Sequence, residues 1–222
     1  MSIPSQEQVT LLTDYDETSA YNKAYNMLYA NMSFHWNEAK HTQPAIAFMT
    51  PSSYAGQAAV PANLAIVSAQ NGIPTILVDA DMQTSTLQQR FGINASAGLS
   101  DLLVGKTSVP ARELLYPTFV PNLSLLTAGT ATPRQLHVHD LATIQRVVDD
   151  LRQTVATAGP GLLIIHTPAV LDRPDATLLS ESVDQVFLLI VAGKTTRQQA
   201  KRAQEQLQHA NAPLVGAVML DV

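Results

Sequence analysis

The chain has 222 residues, of which 46% are apolar, and a formal net charge of −5. This length and apolar content suffice for one well-buried domain, and the acidic balance, without any basic run, argues against a nucleic-acid partner. The absence of cysteine excludes disulfides, thiolate metal sites and a cysteine nucleophile.

In chain order, polar and irregular sequence over residues 1–16 precedes a helical pattern over 17–36. Six apolar runs follow, and their continuous, non-alternating character predicts strands buried on both faces of a parallel sheet. Helical patterns separate these runs. The predicted strands cover 44–49, 73–80, 123–128, 162–167, 185–191 and 214–220, and the predicted helices cover 62–71, 83–91, 139–158, 175–182 and 195–210.

This alternation of strand and helix predicts an α/β fold, a doubly wound and mostly parallel sheet flanked by helices. We expect a single domain over residues 17–222, which includes the N-terminal helix, after an irregular segment over 1–16. No apolar run reaches the ~18 residues of a membrane span. We therefore expect no direct membrane insertion and a cytoplasmic location.

The segment after the first predicted strand occupies the position of a phosphate-binding loop, which makes the expected fold P-loop NTPase-like. A working loop reads G-x-x-x-x-G-K-[ST], with backbone N–H groups and the lysine on the phosphates and the hydroxyl on Mg²⁺. Here Pro51 stands at the first glycine and Gly56 at the second, while Gln57 and Ala58 replace the lysine and the hydroxyl residue. Because the cationic and metal contacts are both missing, we expect nucleotide binding to be lost.

Pro61 supports this expectation through the backbone. Proline suits the first turn of a helix and not its interior, so the following helix should begin nearer Val60 than Gln57. We therefore expect a vestigial phosphate loop without bound phosphate, in a pocket closed by Tyr54, Gln57 or His166. The loop residues are Tyr54, Ala55, Gly56, Gln57, Ala58 and Ala59.

Five segments match the motifs of one protein family. They are residues 24–31 (A-Y-R-x-L-R-x-N in the family), 63–65 (N-L-A), 76–82 (L-I-D-A-D followed by Leu or Met), 98–105 (G-L-S-D-x-L-x-G) and 125–129 (L-P-A-G). Together they resemble the cytoplasmic domain of bacterial tyrosine kinases that regulate capsule and exopolysaccharide synthesis. That family lies within the P-loop ATPases that include MinD and ParA.

The resemblance also shows which residues of the family are replaced. His166 stands at the aspartate of the third acidic motif, D-T-P-P, which acts through the Mg²⁺ shell, and Leu220 stands at the asparagine that reads adenine. The helix pattern E-x-x-R-x-x-R, which joins subunits into a ring in the family, becomes Lys23, Asn26 and Tyr29. We expect no tyrosine-rich tail substrate after the last predicted strand. The replacements therefore affect residues that bind nucleotide, metal or subunits in the family, whereas the motif segments that form the scaffold are retained.

Asp79 and Asp81 retain the second acidic motif. In the family the first of them helps to bind Mg²⁺ and to activate the attacking hydroxyl, a role typical of phosphoryl transfer. Without the loop lysine and hydroxyl, we favour helix-capping and strand-end roles for both. The alternative is that they bind another cation or polar ligand in a remodelled pocket. We expect no catalytic residue and no metal, and the vestigial positions are Gln57, Ala58, Asp79, Asp81 and His166.

Other polar residues allow weaker functional interpretations. His137 and His139 could complete a zinc trio with His166, but no fourth ligand is evident nearby, and surface histidines at a helix start are favoured. Ser52 and Ser53 have no assignable histidine and acid partners, so loop polarity is favoured over a nucleophile.

Three tyrosines of the first predicted helix and the start of the last one also allow more than one interpretation. Tyr21, Tyr25 and Tyr29 could be phosphorylation targets or a stacking surface, but their four-residue spacing favours a packing face against the sheet or another subunit. Lys194 and Thr195 open the last long helix, and we assign them no chemistry.

These replacements lead to the hypothesis of a catalytically inactive tyrosine-kinase-like domain. It would act as a regulatory or interaction module in exopolysaccharide or lipopolysaccharide biosynthesis and use no cofactor. The expected partner is a protein, either a membrane polysaccharide co-polymerase or an active kinase paralogue, through which the domain would associate with the membrane. Self-association into a homo-oligomer is a further expectation.

Two alternatives keep more of the family's activity. The first is a protein-tyrosine kinase or ATPase that binds ATP and Mg²⁺ weakly, with a lysine or arginine supplied by a partner subunit. The second is a positioning protein of the MinD or ParA type. It is the weaker one, because neither a signature lysine early in the loop nor a membrane-binding amphipathic tail is visible.

Overall fold

The computed structural model describes residues 11–36, 42–54, 56–82, 84, 86–130 and 141–221. Within these residues, seven strands form one sheet. They are β1 (Ala45–Met49), β2 (Thr75–Asp79), β3 (Leu115–Pro117), β4 (Leu123–Leu126), β5 (Leu162–His166), β6 (Gln185–Val191) and β7 (Leu214–Leu220). Their order is β3-β4-β2-β5-β1-β6-β7, and all neighbours are parallel except β3 and β4.

Helices cover both faces of this sheet and bury a separate apolar cluster on each. They are α1 (Ala20–Trp36), α2 (Ala59–Gln70), α3 (Thr86–Arg90), α4 (Leu99–Leu103), α5 (Leu141–Ala156), α6 (Pro174–Ser180) and α7 (Arg197–His209), with 3-10 helices at Leu12–Asp14 and Ala111–Leu114. The doubly wound, mostly parallel α/β fold predicted from the sequence is confirmed. Among the helices described, none is both long enough and apolar enough to cross a bilayer.

The central strands are apolar on both faces because both faces are covered. All five residues of β1 are buried, with Ile46 and Phe48 in one apolar cluster and Ala45, Ala47 and Met49 in the other. Strands β2 and β5 are also completely buried. The continuous apolar runs therefore predicted these strands correctly.

Strand β7 differs from the prediction. It lies at the sheet edge, and its residues alternate between half-buried and exposed, with Met219 75% exposed. The expectation that this run is buried on both faces is wrong, because an edge strand without a covering helix keeps one face open to solvent.

Short elements were not predicted. Strand β3 has three residues and pairs antiparallel with β4, and α4 is little more than one turn that begins after Gly98. Neither is long enough to show a period in the sequence. The segment expected to be irregular also contains structure, since Leu11 and Leu12 are buried at the start of a 3-10 helix.

Candidate functional site

The candidate site lies at the edge of the sheet where parallel strands end. Because β1, β2 and β5 are parallel, the residues at their carboxyl ends meet at this edge. The register pairs Asp79 of β2 with His166 of β5, and the backbone N–H of Ala80 donates a hydrogen bond of 2.8 Å to the His166 carbonyl. The vestigial loop follows β1 directly, so the fold brings together the segments that the sequence separates.

The loop turns at Gly56. Gly56 has a φ of +84°, a conformation that favours glycine, and its carbonyl accepts a hydrogen bond of 2.9 Å from the Ala59 N–H. Helix α2 begins at Ala59, in agreement with a start nearer Val60 than Gln57. Pro61 lies in the first turn, where its missing N–H breaks no helical hydrogen bond.

The other loop positions add little polarity. Ala58 is buried and presents a methyl group where a phosphate loop carries a hydroxyl. Tyr54 is half-buried, and burial raises its pKa to about 12, so its phenol stays neutral at physiological pH. Ala55 falls outside the described residues.

Gln57 is buried and hydrogen-bonded to the second acidic motif. Its Nε2 donates a hydrogen bond of 2.8 Å to Asp81 Oδ2, and Thr84 Oγ1 donates to the same oxygen at 2.7 Å. At the other end of the Gln57 amide, Oε1 accepts a hydrogen bond of 3.4 Å from Thr50 Oγ1. The residue at the lysine position therefore uses its amide on the protein itself.

Asp79 is buried with incomplete hydrogen bonding. Its Oδ1 accepts the Asp81 N–H at 3.2 Å, and its carboxyl group also accepts the backbone N–H of Leu87 in the first turn of α3. Among the described residues, Oδ2 has no hydrogen-bond partner. Burial, followed by the neighbouring Asp81 charge, raises the pKa of Asp79 to about 8. Asp79 thus ends β2 and contacts the first turn of α3; the roles that we favoured for it were strand-end and helix-capping.

His166 is buried beside the two aspartates, with 2% of its surface exposed. Burial lowers its pKa to about 4, against the opposing effect of the Asp81 charge, so the imidazole is neutral at physiological pH. Within the described ranges, no group of three or more His, Asp or Glu residues is arranged to hold a metal. His137 and His139 lie outside those ranges, and the zinc trio stays untested.

The serines of the loop make structural contacts. Ser53 donates from both its backbone N–H and its hydroxyl to Asp172 Oδ2, each at 2.9 Å. Ser52 Oγ accepts a hydrogen bond of 3.1 Å from Gln199 Nε2 in α7. In these contacts the two serines hold the loop in place, as the loop-polarity interpretation has it.

The tyrosines of α1 pack inward. Tyr21, Tyr25 and Tyr29 contact the apolar cluster that contains α2, and the Tyr21 hydroxyl accepts a hydrogen bond of 2.9 Å from Asn63 Nδ2. The other two former ring-motif positions, Lys23 and Asn26, are exposed. The structure thus supports the packing-face interpretation of the tyrosines.

Two further positions complete the comparison with the sequence. Leu220 ends β7 and packs partly buried against the same apolar cluster, and Thr195 Oγ1 accepts a hydrogen bond of 3.0 Å from the Val191 N–H. Sequence reasoning missed Thr50, Thr84 and Asp172. For Thr84, the three-residue spacing from an acidic residue was an available signal for a local side-chain hydrogen bond.

Comparison with known proteins identifies relatives over most of the chain, although no protein-family model matches it. The tyrosine-protein kinase YwqD of Bacillus subtilis (strain 168) is 26% identical over 215 residues, covering 97% of this chain and 87% of that protein. The tyrosine-protein kinase CpsD of Streptococcus agalactiae serotype III (strain NEM316) is 23% identical over 196 residues, covering 88% and 80%.

Solved structures agree with these relatives. The BceF tyrosine kinase domain superposes with a TM-score of 0.78 at 25% identity, covering 94% of this chain and 80% of that one. The septum site-determining protein MinD of Pyrococcus horikoshii OT3, solved with Mg-ADP, has a TM-score of 0.65 at 18% identity, covering 80% and 70%. The chain is thus similar in sequence to bacterial tyrosine-protein kinases over most of its length, and it shares its fold with the BceF tyrosine kinase domain and with MinD.

Proposed function

We propose that the domain is a catalytically inactive tyrosine-kinase-like module that regulates exopolysaccharide biosynthesis through a protein partner. The observation that carries the proposal is the buried hydrogen bond between Gln57 Nε2 and Asp81 Oδ2, at 2.8 Å. The side chain that would meet a phosphate as a lysine instead binds the acidic motif. Phosphate affinity is therefore reduced for two reasons. The lysine cation is missing, and the Gln57 amide that stands in its place is already hydrogen-bonded to Asp81.

The charges at this edge favour the same conclusion. A triphosphate needs fixed positive charge or a metal ion, and phosphoryl transfer depends on both. Gln57 is uncharged, His166 is neutral near pH 7 because its pKa is lowered to about 4, and Asp81 is an acid. Bringing a polyanion to this group of side chains costs electrostatic energy that the loop backbone must offset alone.

Calorimetric titration with Mg·ATP tests the proposal. We expect no binding by the natural chain at nucleotide concentrations up to about 1 mM, which corresponds to about 4.1 kcal/mol of binding free energy. The triple variant Gln57→Lys, Ala58→Thr and His166→Asp should gain measurable binding. The control Gln57→Ala removes the amide without adding a charge and should gain none. Micromolar binding by the natural chain would overturn the proposal.

A weakly nucleotide-binding kinase or ATPase is the second candidate, and one observation favours it. Asp79 Oδ2 is buried and has no hydrogen-bond partner among the described residues, as expected for a carboxylate that a bound cation would complete. MinD of Pyrococcus horikoshii, which shares the fold, was solved with Mg-ADP. ATP turnover that disappears in Asp79→Asn would support this candidate, whereas turnover that persists in the variant would contradict it.

The partner is proposed from the outer face of α1. Met27 is 67% exposed and Phe34 is 72% exposed, and their seven-residue spacing places them on one side of the helix. Large exposed apolar side chains on one face are typical of an interaction surface. We propose that this face binds a membrane polysaccharide co-polymerase, an active kinase paralogue or a second copy of the chain.

A further inference from the structure

A second cleft lies at the opposite end of the sheet from the vestigial loop. It has a volume of about 820 Å³, within the size range of small-molecule sites. The cleft opens between the start of α1, the end of α2 and the turn before β4, at the amino ends of β2 and β4. Polar lining residues include Tyr15, Glu17, Asn22, Asn26, Asn71 and Asn122.

The asparagines of the cleft are held in fixed orientations by the backbone. Each donates through Nδ2 to a main-chain carbonyl at a distance between 2.8 and 3.3 Å, so that the planar amide is set before any ligand arrives. An amide has two N–H groups and a carbonyl oxygen. Asn22 is 6% exposed and its Nδ2 lies within hydrogen-bond distance of three main-chain carbonyls, so it shapes the wall of the cleft, whereas the single bonds of the other three asparagines leave further hydrogen-bonding capacity. The four residues are Asn22, Asn26, Asn71 and Asn122.

An aromatic ring at the cleft is also held in place. Tyr15 is 44% exposed, and its ring centroid lies 4.5 Å from that of Tyr21. The Tyr21 hydroxyl is in turn hydrogen-bonded by the buried Asn63. This chain of contacts supports Tyr15 from behind and leaves part of its surface open to the solvent.

The charge of the cleft restricts the ligand. Among the described residues that line it, Glu17 is the charged one, and lysine and arginine are not represented. An anionic ligand would find no counter-charge. The combination of several amides with one aromatic ring fits a ligand that has many hydroxyl groups and an apolar ring face, because the hydroxyls pair with amides while the C–H face packs on the ring.

We infer that this cleft binds a neutral saccharide, with Tyr15 against the sugar ring and the asparagine amides on its hydroxyls. The inference goes beyond the proposed function and does not depend on it. The cleft lies at the amino ends of the strands, whereas the Gln57 and Asp81 pair lies at the carboxyl ends. A result at one end leaves the other unaffected.

Saturation-transfer NMR tests the inference on the full chain. The probes are neutral mono- to tetrasaccharides of glucose, galactose, mannose, rhamnose and N-acetylglucosamine. We expect transfer to the ring C–H protons of at least one probe. Affinity should fall about tenfold or more in Tyr15→Ala and in Asn26→Ala, as expected for the loss of about 1.4 kcal/mol of contact. Tyr15→Phe should keep the binding, and Phe34→Ala, which removes an exposed ring elsewhere, should leave it unchanged.

Several outcomes would overturn the inference. One is no transfer to any probe, and another is equal transfer in the natural chain and Asn26→Ala. Tyr15→Ala counts only if its far-ultraviolet circular dichroism matches the natural chain, and Asn26→Ala serves as the second variant. Glu17→Gln separates charge from shape, since saccharide affinity should stay within about threefold. Binding of spermidine that Glu17→Gln abolishes, without any saccharide binding, would identify a cation site instead.

Discussion

At the scale of single residues, polar side chains at the carboxyl edge of the sheet are joined by internal hydrogen bonds. Gln57 Nε2 donates a hydrogen bond of 2.8 Å to Asp81 Oδ2. Beside this pair, burial shifts the pKa values of two ionisable groups in opposite directions. The pKa of Asp79 rises to about 8 and that of His166 falls to about 4. Both shifts favour the neutral form, because burial disfavours charge of either sign. Asp79 and His166 are therefore mainly neutral near pH 7.

Asp79 makes the pH dependence of stability testable. Because its native pKa is about 8 and its ordinary value is 3.8, the native state holds a proton that the unfolded chain releases in this range. Its contribution to stability therefore falls as the pH rises. Asparagine does not titrate, so the Asp79→Asn variant lacks this pH dependence. Its free energy of unfolding, relative to that of the natural chain, should therefore increase between pH about 5 and about 7, by up to about 1.4 kcal/mol per pH unit.

Urea denaturation at the two pH values measures this difference. His166 acts with the opposite sign, since its lowered pKa makes stability fall as the pH drops from about 6.5 towards about 4. His166 is present in both the natural chain and Asp79→Asn, so its contribution to the free energy of unfolding largely cancels in the difference between them. A difference that is constant with pH would show that Asp79 is ionised in the native state.

At the scale of elements, the Asp101 carboxylate joins the motif segment 98–105 to the residue that follows the motif segment 125–129. Asp101 Oδ2 accepts the backbone N–H groups of Gly98 and Thr130, each at 2.9 Å, and Lys106 Nζ lies 3.2 Å from Oδ1. Burial opposes ionisation of Asp101, but these hydrogen bonds outweigh it and lower the pKa. A Cβ added to Gly129 would lie 2.5 Å from Asp101 Oδ2, which explains the glycine there.

Removing this carboxylate should loosen the contact between α4 and the turn after β4. Asp101→Ala leaves two backbone donors without their acceptor, and we expect a loss of about 2 to 4 kcal/mol in the free energy of unfolding. Lys106→Ala is the matched control, because its side chain is 52% exposed and such ion pairs contribute below about 1 kcal/mol. Equal losses in the two variants, measured by urea denaturation, would contradict this account.

At the scale of the whole molecule, α1 joins the domain on one side and faces solvent on the other. Its inner side is fixed through Asn63, whose Oδ1 accepts the Leu12 N–H and whose Nδ2 donates to Tyr21, both at 2.9 Å. Its outer side exposes Met27 and Phe34. The helix is therefore anchored on its inner side, and the two exposed apolar side chains on its outer side are available for contact with another protein.

The double variant Met27→Glu and Phe34→Glu tests this surface. If it joins two copies, the natural chain should sediment above its monomer mass of 23.9 kDa at tens of micromolar, and the variant should sediment as the monomer. Both side chains are exposed, so the free energy of unfolding should change by less than about 1 kcal/mol. Lys201→Ala, whose side chain is 75% exposed on α7, serves as a surface control away from α1. Monomer mass for the natural chain would exclude self-association and leave the other partners.

The sequence by itself determined the six longer strands of the sheet and the residues that reach its carboxyl edge. Continuous apolar runs predict buried parallel strands because each residue must suit a covered face, and this property is local. The strand ends then place Gln57, Ala58, Asp79 and His166 at one edge, and the missing lysine and hydroxyl can be read directly. What remained local in the chain could be predicted.

Only the tertiary structure decided which polar groups meet. The contact from Gln57 to Asp81 spans 24 residues, that from Asn63 to Leu12 spans 51, and no sequence period specifies such pairs. The same holds for the open face of β7 and for the saccharide-sized cleft, since both depend on which element lies beside another. Hydrogen bonds and exposure are properties of distance in space, whereas the sequence pattern carries only distance along the chain.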